Sequence, residues 1–220
     1  MNITNSHKFK LVIFDWDGTL SDSVARIAIS MQRAASDHAL PVPAYDEVKE
    51  IIGLGLTEAV FRLFPEASRE QVFALQTAYS QHYRSEDSSP CPFFPGVEAT
   101  LGYLKSQGYA LAVATGKSRA GLDRVLQSLD MKYFFDGSRC ADETVSKPHP
   151  LMLEQLLDEF GLTVDQAVMV GDTEFDMEMA AAINMPRIAV SYGAHHIDRL
   201  RTFEPLACLD RFGDIKSQLF

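Results

Sequence analysis

The chain has 220 residues, a formal charge of −10, 46% apolar and 23% charged side chains. That profile belongs to a globular protein of one domain, or of a core domain with a modest insert, and excludes disordered, collagenous and disulfide-stapled classes. With an acidic balance and no Lys/Arg-rich block, nucleic acid and anionic membrane surfaces are not expected as partners.

In chain order, the first element is a buried strand. Lys10-Leu-Val-Ile-Phe-Asp15 is a short apolar run that ends in acid and is soon followed by Gly18. Residues 22–86 then carry only helical spacing. Ile27, Met31 and Ala34 share one face, as do Ala59, Val60, Leu63 and Phe64, and Val72, Leu75, Tyr79 and Tyr83. No strand run interrupts them, so a helical insert is expected, leaving through the polar, Pro-bearing stretch Ser85–Pro92. Two adjacent connections suit a hinged lid.

After the insert, strand and helix alternate. Val97, Leu101 and Leu104 predict a helix stopped at Gly108, and Tyr109–Thr115 a strand. Leu122, Val125, Leu126 and Leu129 mark the next helix, and Phe134–Asp136 a weaker strand. Leu153, Leu156, Leu157 and Phe160 predict a helix stopped at Gly161. Strands Ala167–Gly171 and Arg187–Ser191 flank a short helix over Met177–Ile183. The fold class expected is α/β: a doubly wound, parallel-sheet (Rossmann-like) core with an inserted all-helical cap. Residues 1–20 and 91–220 would form the core and 21–90 the cap.

Four short segments carry candidate chemistry. In Asp15-Trp-Asp17-Gly-Thr-Leu20, two carboxylates at i and i+2 leave a strand end on one side. Their mutual repulsion calls for an offsetting charge, and hard oxygen ligands suit Mg²⁺. Asp residues that cap a helix or bind loop amides are the plainer alternative. Val170-Gly-Asp172-Thr-Glu-Phe-Asp176 is a second strand running into acid, with Asp176 one helical turn on. Ligands of open α/β sheets bind at the carboxyl ends of strands, so the acids converge if the strands are neighbours. Thr115-Gly116-Lys117-Ser118 ends a third strand. It is not a nucleotide-binding P-loop, because position 111 is Leu where that loop needs Gly. A hydroxyl and free amides there suit a phosphate oxygen, or a helix cap. Ser146-Lys147-Pro148 offers a cation to hold phosphate against the acids, or a solvated loop lysine. Gly53-Leu-Gly55 lacks the third Gly of a dinucleotide site, His195-His196 reads as a polar loop, and Trp16 as a packing or lid-facing residue.

These segments, in this order and strand context, resemble the haloacid dehalogenase superfamily of phosphohydrolases: DWDGTL, ATG, SKP, GDTEFD. The insert after the first motif looks like the C1-type cap of the phosphoglycolate phosphatase and β-phosphoglucomutase branch. The resemblance implies a nucleophilic Asp15 that forms an aspartyl-phosphate, and Asp17 as general acid and then base. It implies Mg²⁺ held by Asp15, the main-chain carbonyl of Asp17 and Asp172, with Asp176 behind them orienting a water or Lys147. It implies that Thr115, the Gly116 amide and Lys147 bind the phosphoryl oxygens. Charge build-up between carboxylate and phosphate dianion makes such a metal and lysine physically reasonable.

The expected activity is therefore Mg²⁺-dependent hydrolysis of a small phosphorylated metabolite, phosphoglycolate being the nominal substrate. The alternatives are a phosphomutase, a phosphonatase or a silent phospho-ligand-binding member. Ile52–Thr57 contains no Arg or Lys for a mutase's distal phosphate, and Lys49 is the sole lysine of the insert that a phosphonatase could use. Gly116 stands where the glycolate-phosphate enzymes often have Asn. Cys91, Cys140 and Cys208 are far apart with no CxxC, which suits a reducing compartment. Met1–Lys10 lacks the apolar stretch of a signal peptide, and no run approaches the ~20 apolar residues of a membrane span. A cytoplasmic monomer or homodimer is expected.

Overall fold

Four consecutive apolar residues, Leu11–Phe14, form the central strand β1, every side chain buried. The computed structural model describes residues 8–85 and 91–219. The other parallel strands are β2 (Ala110–Thr115), β3 (Gly137–Cys140), β4 (Ala167–Gly171), β5 (Arg187–Val190) and β6 (Ala207–Leu209). Their order across the sheet is β3-β2-β1-β4-β5-β6. The winding direction reverses beside β1, so the ends of β1, β2 and β4 surround the crevice where such sheets bind ligands.

Alternation along β1 splits the core into two layers. Val12 and Phe14 join Val113, Val168 and Val170 on one face, against Leu101 and Leu104 of a helix over Val97–Ser106. Leu11 and Ile13 join Ala112, Ala114 and Met169 on the other, against Met152, Leu153 and Leu156. Those last three belong to a helix over Leu151–Phe160, which stops at Gly161 in the left-handed conformation that glycine adopts without a Cβ penalty. Trp16, 1% exposed, packs against Phe93 and Phe135 in the first layer.

Between β1 and the Val97–Ser106 helix, the described residues form four helices: α1 (Val24–Asp37), α2 (Tyr45–Lys49), α3 (Leu56–Leu63) and α4 (Arg69–Ser85). They enclose their own apolar cluster, centred on Met31, Val60 and Leu75, and Ala194 of the core joins it. The two connections run side by side. The Asp22 amide donates to the Pro92 carbonyl at 2.9 Å and the Phe94 amide to the Leu20 carbonyl at 3.0 Å. Residues 86–90 of the expected polar exit, and residues 1–7 of the polar N-terminus, lie outside the described residues.

One expectation needs correcting. The strand placed at Phe134–Asp136 is instead β3, at Gly137–Cys140. Phe134 and Phe135 pack on the core from a turn, so their apolarity serves the core layer and not the sheet. Edge strand β6 was not foreseen, and neither was the five-residue α2. Leu75 is fully buried at the centre of the insert's cluster. Truncating it removes packing that neighbours only partly recover, so Leu75→Ala should cost about 2–5 kcal/mol in urea unfolding.

Candidate active site

Asp15 directly follows β1, and its amide donates to the Val170 carbonyl of β4 at 2.9 Å. That pairing sets Asp15 beside Asp172, the first residue after β4. Residues 16–21 fold into a tight turn, with the Leu20 and Ser21 amides both donating to the Trp16 carbonyl. Gly18 has φ +86° there, and a Cβ on it would fall 2.2 Å from Asp172 Oδ2. Only glycine lets this turn lie on that carboxylate.

Asp172 is 0% exposed and held from two sides. Thr19 Oγ1 donates to its Oδ1, and the Ala194 amide to its Oδ2, both at 2.7 Å. It does not cap the following helix, Glu174–Ala182. Thr173 does, and it also donates to Asp176 Oδ2 through its hydroxyl at 2.7 Å and its amide at 3.1 Å. This reciprocal cap turns Asp176 back toward the strand ends.

Lys147 closes the group. It is 1% exposed, and its ammonium donates to Asp15 Oδ1 and to Asp176 Oδ1, each at 2.6 Å. Carboxylate oxygens of Asp15, Asp172 and Asp176 lie within 4.8 Å of one another. Three acids therefore face one ammonium, out of water. Burial pushes the Asp15 carboxyl well above its ordinary range against the pull of Lys147, and Asp176 and Asp172 add to the rise. Burial and Asp176 likewise push Asp172 up to about 7, against the Ala194 amide and the Thr19 hydroxyl. Burial works against the Lys147 charge, but Asp15 and Asp176 outweigh it and hold the ammonium protonated. Asp15 Oδ2 is buried with no hydrogen-bond partner. An orphaned oxygen among crowded acids is the donor set of a hard divalent cation.

Asp17 faces the other way. Its Oδ1 accepts from Ser23 Oγ at 2.6 Å and lies 2.9 Å from Lys117 Nζ. Asp17 was expected to offer a metal only its main-chain carbonyl, and its carboxylate is indeed turned away from the trio of Asp15, Asp172 and Asp176. Lys117 also sits over the ring of Tyr83, 4.8 Å from its centre. Lys117 was passed over in the sequence because its Gly-Lys-Ser setting was weighed only as a phosphate loop; its pairing with Asp17 spans a hundred residues. Thr19, Ser23 and Thr173 were missed as well, although Thr19 lies within the first motif and Thr173 adjoins Asp172.

Of the expected phosphate-binding residues, Thr115 ends β2 fully buried, its hydroxyl accepting from the Lys117 amide at 3.1 Å. Gly116 follows, and together with Asp15, Asp17 and Lys117 it lines a cavity beneath the four-helix insert. A Cβ on Gly116 would lie 2.4 Å from the Leu54 carbonyl oxygen and 2.7 Å from that of Gly53. The insert therefore touches the core backbone here. It is seated further by the Gly55 amide donating to Ser146 Oγ at 2.8 Å, and by Arg199 bonding Glu50 at 2.6 and 2.7 Å. His195 is buried, not in an open loop, its Nδ1 accepting from the Glu174 amide; His196 is exposed and caps the helix that follows it.

Two outcomes follow from the buried charges. Lys147→Met leaves Asp15 and Asp176 without their cation, and should cost about 3–5 kcal/mol in denaturant unfolding at neutral pH in EDTA. For Asp15 and Asp172 the folded-state pKa is raised, so the folded chain binds protons more tightly than the unfolded one above pH 4. The cation-free protein should lose stability as pH rises from about 4 through about 7. Melting in EDTA across that window, with and without added divalent cation, checks this; the cation's stabilising effect should grow with pH.

Comparison with known proteins agrees with this geometry. The profile of the haloacid dehalogenase-like hydrolases matches residues 12–190. A protein of Dickeya dadantii (strain 3937) named "Probable phosphatase IndB" is 34% identical over 209 residues, covering 93% of this chain and 91% of that one. A phosphoglycolate phosphatase of Aliivibrio fischeri is 30% identical over 211 residues, covering 92% and 93%. The crystal structure of a predicted phosphoglycolate phosphatase from Haemophilus somnus superposes with a TM-score of 0.87 at 27% identity, over 96% and 98% of the two chains. By profile, relatives and fold alike, the chain belongs to the haloacid dehalogenase-like hydrolases.

Proposed function

We propose that the chain is a Mg²⁺-dependent phosphomonoesterase acting on a small phosphorylated metabolite through an aspartyl-phosphate. The observation that carries this reading is the buried Asp15–Lys147–Asp176 contact with Asp172 alongside and one Asp15 oxygen left bare. Family membership and relatives named as phosphatases support it. Residues 1–20 and 91–220 act as the catalytic core and 21–90 as its cap.

Each residue then has a defined task. Asp15 attacks phosphorus, forming a P–O bond as the ester P–O bond breaks. Asp17, whose side chain lies away from the acid trio, gives its proton to the departing alkoxide oxygen. It then takes a proton from the water that attacks the aspartyl-phosphate, releasing phosphate and restoring Asp15. Lys147 faces the negative charge that builds on the phosphoryl oxygens, with Thr115 and the Gly116 amide beside it. Asp176 holds Lys147 in position. Asp15, the Asp17 carbonyl and Asp172 would hold Mg²⁺, which when bound supplies charge neutralisation between carboxylate and phosphate.

The alternatives within the family fare less well. Ile52–Thr57, set against Gly116, carries no cation for a second phosphate, which speaks against a mutase. Lys49 is not among the side chains lining the cavity, which speaks against a Schiff-base phosphonatase. Among the described residues no helix is long and apolar enough to cross a membrane. Three free cysteines suit the cytoplasm as the working compartment.

Purified protein with Mg²⁺ should release phosphate from p-nitrophenyl phosphate. Asp15→Asn and EDTA should each abolish this, and Asp17→Asn should lower kcat by about 10²–10⁴-fold. Turnover unchanged by both Asp15→Asn and EDTA would overturn the proposal.

A further inference from the structure

The cavity that holds Asp15 and Asp17 continues away from the acids, between the insert and the core, and encloses about 140 Å³. The leaving group departs on the Asp17 side, so this space is where the organic part of a substrate must sit. Its wall is apolar over most of its extent: Ile27 and Met31 of α1, Ile52 and Leu54 from the α2–α3 loop, Tyr79 of α4 and Val125 of the core. Among the described lining residues two are cations. Lys117 lies 2.9 Å from Asp17 Oδ1, and Arg124 stands at the exposed rim.

A carboxylate placed here would lose its water and meet aliphatic and aromatic walls. To gain a cation it would have to draw Lys117 off Asp17, or reach out of the apolar space to Arg124 at the solvent-exposed rim. An uncharged apolar group has no such conflict. An apolar cavity of ~150 Å³ accommodates a benzene ring, so the space suits a group of that order.

We infer that this chamber selects phosphomonoesters of uncharged, largely apolar alcohols about the size of one ring, and discriminates against carboxylate-bearing leaving groups such as glycolate. The inference rests on the phosphatase reading and names the substrate class of that same site. It departs from the substrate in the names of several relatives, and the apolar lining is the reason.

The test compares benzyl phosphate, n-butyl phosphate and phosphoglycolate with Mg²⁺. All three leave as alkoxides, so the comparison reads mainly binding. Benzyl phosphate should exceed phosphoglycolate at least tenfold in kcat/KM, chiefly through KM, with n-butyl phosphate between. Leu54→Ser and Val125→Ser, both at half-buried positions on opposite walls, should each reduce the benzyl-to-phosphoglycolate ratio at least threefold. Phosphoglycolate turned over as well as benzyl phosphate, or a ratio unmoved by both variants, overturns the inference while p-nitrophenyl phosphate hydrolysis keeps the phosphatase reading intact. If no ester is hydrolysed, p-nitrophenyl phosphate included, both fall together.

Discussion

A single buried ammonium organises this molecule. Lys147 reaches Asp15 after β1 and Asp176 in the helix after β4, and neither acid is exposed by more than 1%. Breaking one side of such an arrangement leaves a charge stranded out of water, which is far costlier than the pair is stabilising. The loop around Lys147 is therefore tied to the centre of the sheet through both acids. The cluster still carries more acid than one lysine can offset. That residual repulsion is tolerable in a site built to receive a cation, and would be a defect in one that was not.

The rest of the fold aims groups at this point. Parallel pairing of β1 with both β2 and β4 puts three strand ends side by side. Small residues then let the pieces approach: Gly18 and Gly193 both press on Asp172, and Gly171 on Asp176. The insert descends from the other side, with the Gly53–Leu54 backbone against Gly116 and Arg199 gripping Glu50. Asp17 is the junction of the two halves. Its backbone belongs to the turn beneath the acids, while its carboxylate is held by Ser23 at the foot of the insert and by Lys117 under Tyr83.

Much of this was legible in the chain because it is local. Apolar runs that end in acid mark β1 and β4, and their acids need only neighbouring strands to meet. The helical spacing of Ile27, Met31 and Ala34 recurs as the inner face of α1. Lys147 was legible as a cation but not as a buried one, since a lysine before proline has no local reason to leave water. What escaped was either short or long-range. Three-residue β6 and five-residue α2 fall below the length at which periodicity speaks. Strand β3 is Gly-Ser-Arg-Cys, polar because it is an edge, while the adjacent phenylalanines mimic a strand. Asp17 to Lys117 is a contact of tertiary structure alone, and the apolar chamber appears only when α1, α4 and the core wall are assembled.

The paired crossings at Leu20–Asp22 and Pro92–Phe94 carry one more implication. Because the outgoing and returning segments are stitched to each other within a few residues, the sheet experiences whatever lies between them as a single short ribbon. The length of the intervening chain is thereby insulated from the course of β1. A scaffold wired in this manner can lengthen, shorten or rebuild what lies between the two crossings at little cost to the sheet.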